Sequence, residues 1–296
     1  MKDTDNTMTR RAAIGAMAGA ATMAGVLTGA NSTAAAQAPA AAPAGGGRIK
    51  QAASRWCYSK VELPDLCAKC KEIGIKGLDL LDEEDWKAVI DAGLEVSMAN
   101  GPSGISDGWV IAKNHKQLIE RSNEIIPKLG ALGIKNMILL SGNRKGMSDE
   151  EGLKNAAAGI KEIIPVAKKH NVMLIMELLN SKKDHKDYMC DHTVWGVKLA
   201  DMLGTDNFKL LYDVYHMQIM EGDIITTIRQ YSSYIGHYHT GGVPGRNEID
   251  QTQELNYRRI CEAIAETGFT GFLAHEFTPA RDPLTSLQEA YNICNV

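Results

Sequence analysis

Val172-Met-Leu-Ile-Met-Glu177 is an apolar run closed by a carboxylate, and the figure returns at Phe208-Lys-Leu-Leu-Tyr-Asp213 and Phe272-Leu-Ala-His-Glu276, and with an imidazole in the carboxylate's place at Ile235-Gly-His-Tyr-His239. Short apolar runs that each lead into a helix-like segment read as buried parallel strands, whose carboxyl ends share one rim. Upstream the alternation continues. Strands are expected at Ala53–Tyr58, Gly77–Leu81, Leu94–Ala99 and Asn136–Leu140, and helices at Leu63–Ile73, with Pro64 in the first turn, and at Val110–Leu132. Eight strand–helix units with no second-domain signal predict an α/β chain forming one closed (β/α)8 TIM barrel over residues 48–296. An open nucleotide-binding sheet would show a glycine-rich turn after its first strand, and none follows Tyr58. The glycine-rich Thr240–Arg246 lacks the helix start that cradles a phosphate and reads as a loop at the catalytic face.

The chain of 296 residues is 44% hydrophobic and 23% charged, enough for a large core. A net charge of −4 supplies no basic field, so nucleic acid is not an expected partner. Residues 1–47 are a different kind of sequence. Thr9-Arg10-Arg11-Ala12 is followed by a Gly- and Ala-rich run to Ala30 and by A-x-A sites at Ala34, Ala36 and Ala38, with no charged side chain before Arg48. This predicts a twin-arginine export signal and linker, and a periplasmic mature protein, rather than a membrane anchor. The six cysteines show no disulfide framework, and Cys67-x-x-Cys70 falls inside a helical pattern, where cysteine is usually a small buried hydrophobe.

Glu177, Asp213, His239 and Glu276 close four consecutive strands, so all four are expected in one pocket. Three carboxylates and an imidazole suit one divalent ion, Mn or Mg before Zn or Co, better than a closed structural zinc site. Strand alternation puts His237 on the same face as His239, one layer below, and turns His275 away toward the helices as a hydrogen-bonded core histidine. His216 lies three residues past Asp213 and can lean back over the site. Asn180 holds the equivalent offset after Glu177. Arg246 can clamp a carboxylate or hydroxyl pair. Trp56, Tyr58, Trp109 and Trp195 are candidate walls, and Trp109 is favoured for substrate binding because it sits in the loop that follows Asn100-Gly-Pro-Ser-Gly.

The segments Glu177-Leu-Leu-Asn180, Tyr212-Asp-Val-Tyr-His-Met-Gln-Ile-Met-Glu-Gly-Asp223, Gly236-His-Tyr-His239 and Val243-Pro-Gly-Arg-Asn-Glu248 resemble the xylose isomerase-like barrels. The likeness runs from about residue 50 to the end. It is closest to the hydroxypyruvate isomerases, with the ketose 3-epimerases next. It implies that Glu177, Asp213, His239 and Glu276 hold one divalent metal, that Glu177 and Glu276 flank the substrate as acid and base, and that His216 and Arg246 contact its oxygens. One departure stands out: the third ligand in hydroxypyruvate isomerases is often glutamine, whereas His239-Thr-Gly-Gly242 looks more like the epimerases.

The chemistry of the residues leads to the same expectation. Moving a carbonyl along a chain requires taking a proton beside it and returning it elsewhere through an enediolate, which a metal and two carboxylates can support. The expected activity is therefore a metal-dependent isomerase of a sugar or hydroxy-keto acid. The alternatives are a ketose 3-epimerase or keto-sugar lyase on the same site and, more remotely, a sugar-binding protein without catalysis. Endonuclease-type phosphodiester cleavage would need more ligands and a basic surface. Members of such families often pair, so a homo-oligomer is an expectation of the resemblance alone.

Overall fold

Alternation along each strand decides which side chains enter the barrel. In this computed structural model, which describes residues 47–296, the strands are β1 (Lys50–Ser54), β2 (Gly77–Asp79), β3 (Glu95–Val96), β4 (Asn136–Leu139), β5 (Met173–Glu177), β6 (Phe208–Asp213), β7 (Ile235–Thr240) and β8 (Phe272–His275). They form one parallel sheet in the order β3-β2-β1-β8-β7-β6-β5-β4. Ala99 closes the remaining gap: it bridges both Leu81 and Met137, its N–H donates to Asn136 O and its carbonyl accepts from Ile138 N, each at 3.0 Å. The sheet thus curls into the expected TIM barrel, a single domain. The export signal expected over residues 1–47 lies, apart from Gly47, outside the described residues. No helix among the described residues is long and apolar enough to cross a membrane.

Inside the barrel, Met98, Ile138, Ile175 and Leu211 form a buried apolar layer. Two residues further along β5 and β6 stand Glu177 and Asp213, so the period of two that buries Ile175 and Leu211 also lifts the carboxylates to the carboxyl rim. Outside the strands the main core fills the space beneath the helices, and there Cys67 and Cys70 pack as buried thiols. Burial pushes Cys70 up to about 12, which makes it a poor nucleophile.

The first strand differs from expectation. It runs over Lys50–Ser54, and the chain then turns through a 3-10 helix at Arg55–Tyr58. Trp-Cys-Tyr looks strand-like because aromatics favour strands, yet here Arg55 Nη1 donates to Tyr58 O at 2.8 Å and to Val61 O at 3.2 Å, folding the segment across the barrel mouth. Strands β2 and β3 are also shorter than expected. The long helix begins at His115, after a 3-10 turn at Ala112–Asn114, and continues to Ala131 through Pro127.

Candidate metal centre

Four strand ends deliver Glu177, Asp213, His239 and Glu276 to one place. Each offers a ligand atom, and these atoms all lie within 4.8 Å of one another. His239 is the hub. Its Nδ1 lies 2.9 Å from Glu276 Oε2, 3.3 Å from Glu177 Oε1 and 3.9 Å from Asp213 Oδ2. Its single Nδ1 hydrogen is directed to Glu276, and Glu177 Oε1 and Asp213 Oδ2 are left buried with no hydrogen-bond partner. Orphaned buried carboxylate oxygens are costly unless a cation meets them. The donor set therefore fits a divalent ion, with His239 Nδ1 and one oxygen from each carboxylate as ligands.

The two glutamates differ sharply. Glu276 Oε1 accepts from Trp56 Nε1 at 2.7 Å, and Oε2 accepts from Arg246 Nη2 at 2.6 Å as well as from His239. Burial works against its ionisation, but the charges of Arg246 and His239 and these hydrogen bonds hold it well below the usual carboxylate range. Glu177 has no comparable set of donors, so burial, reinforced by the Glu276 charge and only partly offset by His239, raises it. Asp213 is pushed up to about 8, mainly by burial. His239 moves the other way: burial opposes its charge, yet the Glu276 carboxylate, the bond to Asp79 and the nearby Glu177 lift it well above the ordinary value.

Arg246 is positioned by its loop. Its backbone is left-handed (φ 58°), its N–H donates to Gly242 O at 2.7 Å, and its carbonyl accepts from Thr278 N at 2.7 Å. The guanidinium lies 5.3 Å from the ring centres of both Trp56 and Tyr215, and Nε is buried without a partner. Behind this loop, Glu248 accepts from Ala280 N, Arg281 N and Ser286 Oγ, which ties it to the segment after β8.

His216 and Asn180 form a unit. Asn180 Oδ1 accepts from the backbone N–H groups of Lys183 and Asp184, so its Nδ2 must donate, to Asp184 Oδ2 at 2.8 Å and to His216 Nδ1 at 2.6 Å. That assigns the remaining hydrogen of a neutral His216 to Nε2, 3.6 Å from Asp213 Oδ2. Burial and nearby Arg246 hold this imidazole well below its ordinary value, so it stays neutral.

A cavity of about 570 Å³ opens beside the cluster, bordered by Glu177, Glu276, Arg246 and Trp56 on one side and by Leu80, Asp82 and the loop from Asn100 to Ile105 on the other. Trp109, the tryptophan favoured from sequence, is not among these residues. It is fully buried in the core, where its carbonyl meets His115 Nε2 at 2.9 Å, because its loop turns inward to pair with Leu140 and Ser141. Tyr58 and Trp195 are core residues too, and Trp56 is the wall. Asn180 is fully buried and reaches the site through His216, not through the cavity surface. His275 bonds Gln51 Oε1 at 2.8 Å and Thr240 Oγ1 at 3.1 Å on the helix side of the sheet.

Sequence reading missed His185, which borders the cavity with its ring 5.3 Å from His216, and Asp79, which meets His239. The signal for Asp79 was present: it lies two residues after Gly77 in an apolar run, on the inward register. His185 stands in a loop with no periodicity to mark it.

A family model described as xylose isomerase-like TIM barrel matches residues 61–293. The chain belongs to the xylose isomerase-like TIM barrel family. Among relatives in that family, the hydroxypyruvate isomerase of Escherichia coli is 27% identical over 226 residues, covering 71% of this chain and 86% of that one. A solved Brucella melitensis structure described as an AP endonuclease, family 2, superposes with a TM-score of 0.73 at 21% identity, over 81% of this chain and 97% of that one. The 3-keto-D-glucoside 4-epimerase from E. coli superposes with a TM-score of 0.67 at 18% identity, over 82% and 97%. At these identities the two structural likenesses carry the fold alone.

Proposed function

We propose that the chain is an isomerase that moves a proton beside a carbonyl of a sugar or hydroxy-keto acid through an enediolate. The observation that carries this reading is the unequal partnering of two glutamates bordering one cavity: three donors meet Glu276, whereas Glu177 Oε1 is buried without one. Paired carboxylates with opposed proton affinities are the equipment of a base and an acid. Glu276 takes the proton from the carbon beside the carbonyl, and Glu177 returns one at the neighbouring position from its second oxygen, leaving the buried unpartnered Oε1 for the ion. Arg246 Nε, also without a partner, donates to a substrate oxygen, and neutral His216, buried behind the cavity wall, turns its Nε2–H toward Asp213. The walls of Trp56 and Leu80 exclude water from the reacting carbon. Glu177, Asp213, His239 and Glu276 would hold one divalent ion, Mn or Mg by the oxygen-rich donor set, and when bound it supplies Lewis-acid stabilisation of the enediolate charge.

The named relatives that are hydroxypyruvate and 2-oxo-tetronate isomerases support this reaction class. A second reading, epimerisation of a ketose, has its own observations. Histidine stands at the third ligand position, and a cavity of about 570 Å³ is far larger than a three-carbon acid fills. The test is proton NMR of keto acids, ketoses and 3-keto sugars in D2O with the Mn-loaded protein. Metal-dependent deuterium uptake beside a carbonyl is the expected result, and product connectivity separates isomerase from epimerase or lyase. No exchange on any substrate, with metal bound, would overturn the reading.

The arginine pair at Arg10-Arg11 supports a further proposal: export by the twin-arginine route, which carries folded proteins and so suits an enzyme loaded with metal before it leaves the cytoplasm. N-terminal sequencing of the mature protein checks it, because a full-length cytoplasmic chain would rule it out.

A further inference from the structure

Below the four strand-end residues lies a second buried cluster that does not touch the cavity. Asp79 ends β2, and His237 and His239 point inward from β7; all three are fully buried. Asp79 Oδ2 is 2.8 Å from His239 Nε2. Asp79 Oδ1 is 3.1 Å from His237 Nε2 and accepts from Ser97 Oγ. The rings of His237 and His239 pack edge to face, 5.2 Å apart at 81°. The two nitrogens of His239 are thereby divided, Nε2 toward Asp79 and Nδ1 toward Glu276, Glu177 and Asp213.

We infer that Asp79 is a positioning residue for His239: it takes the Nε2–H, so that Nδ1, which gives up its hydrogen when an ion binds, is the nitrogen aimed at the three carboxylates, while the Ser97 hydroxyl keeps Asp79 from turning. The inference rests on the reading of His239 as a metal ligand. A neutral imidazole carries one N–H, and whichever nitrogen is engaged as donor decides which one is a lone pair. A carboxylate on the far nitrogen fixes both the tautomer and the ring plane and makes the ligand more basic. Asp79 comes from the opposite half of the chain, 160 residues away, so the contact braces the barrel interior as well.

The experiment is a Mn titration of wild type, Asp79→Asn and Asp79→Ala, read by the electron paramagnetic resonance of free Mn, with Co absorption spectra reporting ligand geometry. Asp79→Ala is expected to weaken Mn affinity by about 10- to 100-fold. Asp79→Asn, whose amide oxygen can still accept from Nε2, should recover part of that loss, and both should shift the Co spectrum. Affinities within twofold of wild type in both variants would overturn the inference. So would two ions per wild-type chain with one lost on substitution, because Asp79 would then be a ligand itself. Wild type that binds no metal overturns the metal centre and this inference together, whereas normal wild-type binding with indifferent variants overturns this inference alone. If the Asp79 variants do not fold, Ser97→Ala removes only a hydroxyl, and about three- to fivefold weaker Mn binding is expected, the size of one hydrogen bond. Unchanged affinity there would overturn the inference.

Discussion

The two halves of the barrel are built differently. Strands β5 to β8 pair through ladders of three or four registered residues, with one irregularity at Leu210/Leu211 between β6 and β7, and present all four candidate ligands at their ends. Strands β2 and β3 are two or three residues long, and Ala99 bridges complete the wall between them and β4. Ligands placed on paired strand ends stand on rigid elements, which a coordination sphere needs. Short strands free the chain early into loops, and those loops from Leu80 to Ile105 form the far wall of the cavity. On the proposed function, the second half carries the proton transfers and the first half shapes the cavity.

The largest test of that division is Glu276→Gln. Losing one member of the acid–base pair should cut turnover by about 10²- to 10⁴-fold with the melting temperature nearly unchanged, and Glu177→Gln should behave alike. Steady-state rates beside thermal melts check this, and wild-type rates would break the assignment.

Next comes the pH dependence of metal binding. Asp213, raised by burial to about 8 from 3.8, keeps a proton in the metal-free fold that an unfolded chain would have lost. Its contribution to metal-free stability is thus fully present below the unfolded value and is lost as pH rises through the folded one. Binding a dication expels that proton and the Nδ1 hydrogen of His239, so Mn affinity should climb with pH up to about 8, by about tenfold per unit for each proton released. Calorimetry in buffers of different ionisation heat reads the released proton, and a flat profile would contradict the burial argument.

A smaller effect is expected from the first half. A Cβ at Gly101 would overlap the backbone carbonyl of Ile138, so Gly101→Ala must displace the cavity wall. KM should rise about tenfold while Mn affinity stays at the wild-type value. A fall in metal affinity would show that the halves are not separable. The smallest effect is expected from Trp109→Phe. This buried ring has no partner at Nε1, so the change should cost only about 1–2 kcal/mol of stability in denaturant melts and leave KM alone. A raised KM would return Trp109 to the site.

Legibility followed the same division. Phe208–Asp213 was read to the residue, because a six-residue strand with four apolar positions and a closing carboxylate stands out from its neighbours. In the first half Trp-Cys-Tyr was read as strand and proved to be a turn. The propensity of those residues is local, whereas the turn is held by Arg55 and by Trp56 reaching Glu276, 220 residues away. The tryptophan preference failed for a related reason: a loop position suggests exposure, but the pairing of Trp109 with Leu140 draws it into the core.

By itself the sequence determined the alternating architecture, the rim on which Glu177, Asp213, His239 and Glu276 meet, and the inward register that places His237 beneath His239, since hydrophobic period and strand alternation are properties of contiguous residues. Only the tertiary structure decided that Asp79 meets His239, that Trp56 and Arg246 fall on Glu276, and that the two glutamates part in proton affinity. Those outcomes depend on burial and on charges brought together from distant strands, and no stretch of contiguous sequence contains them.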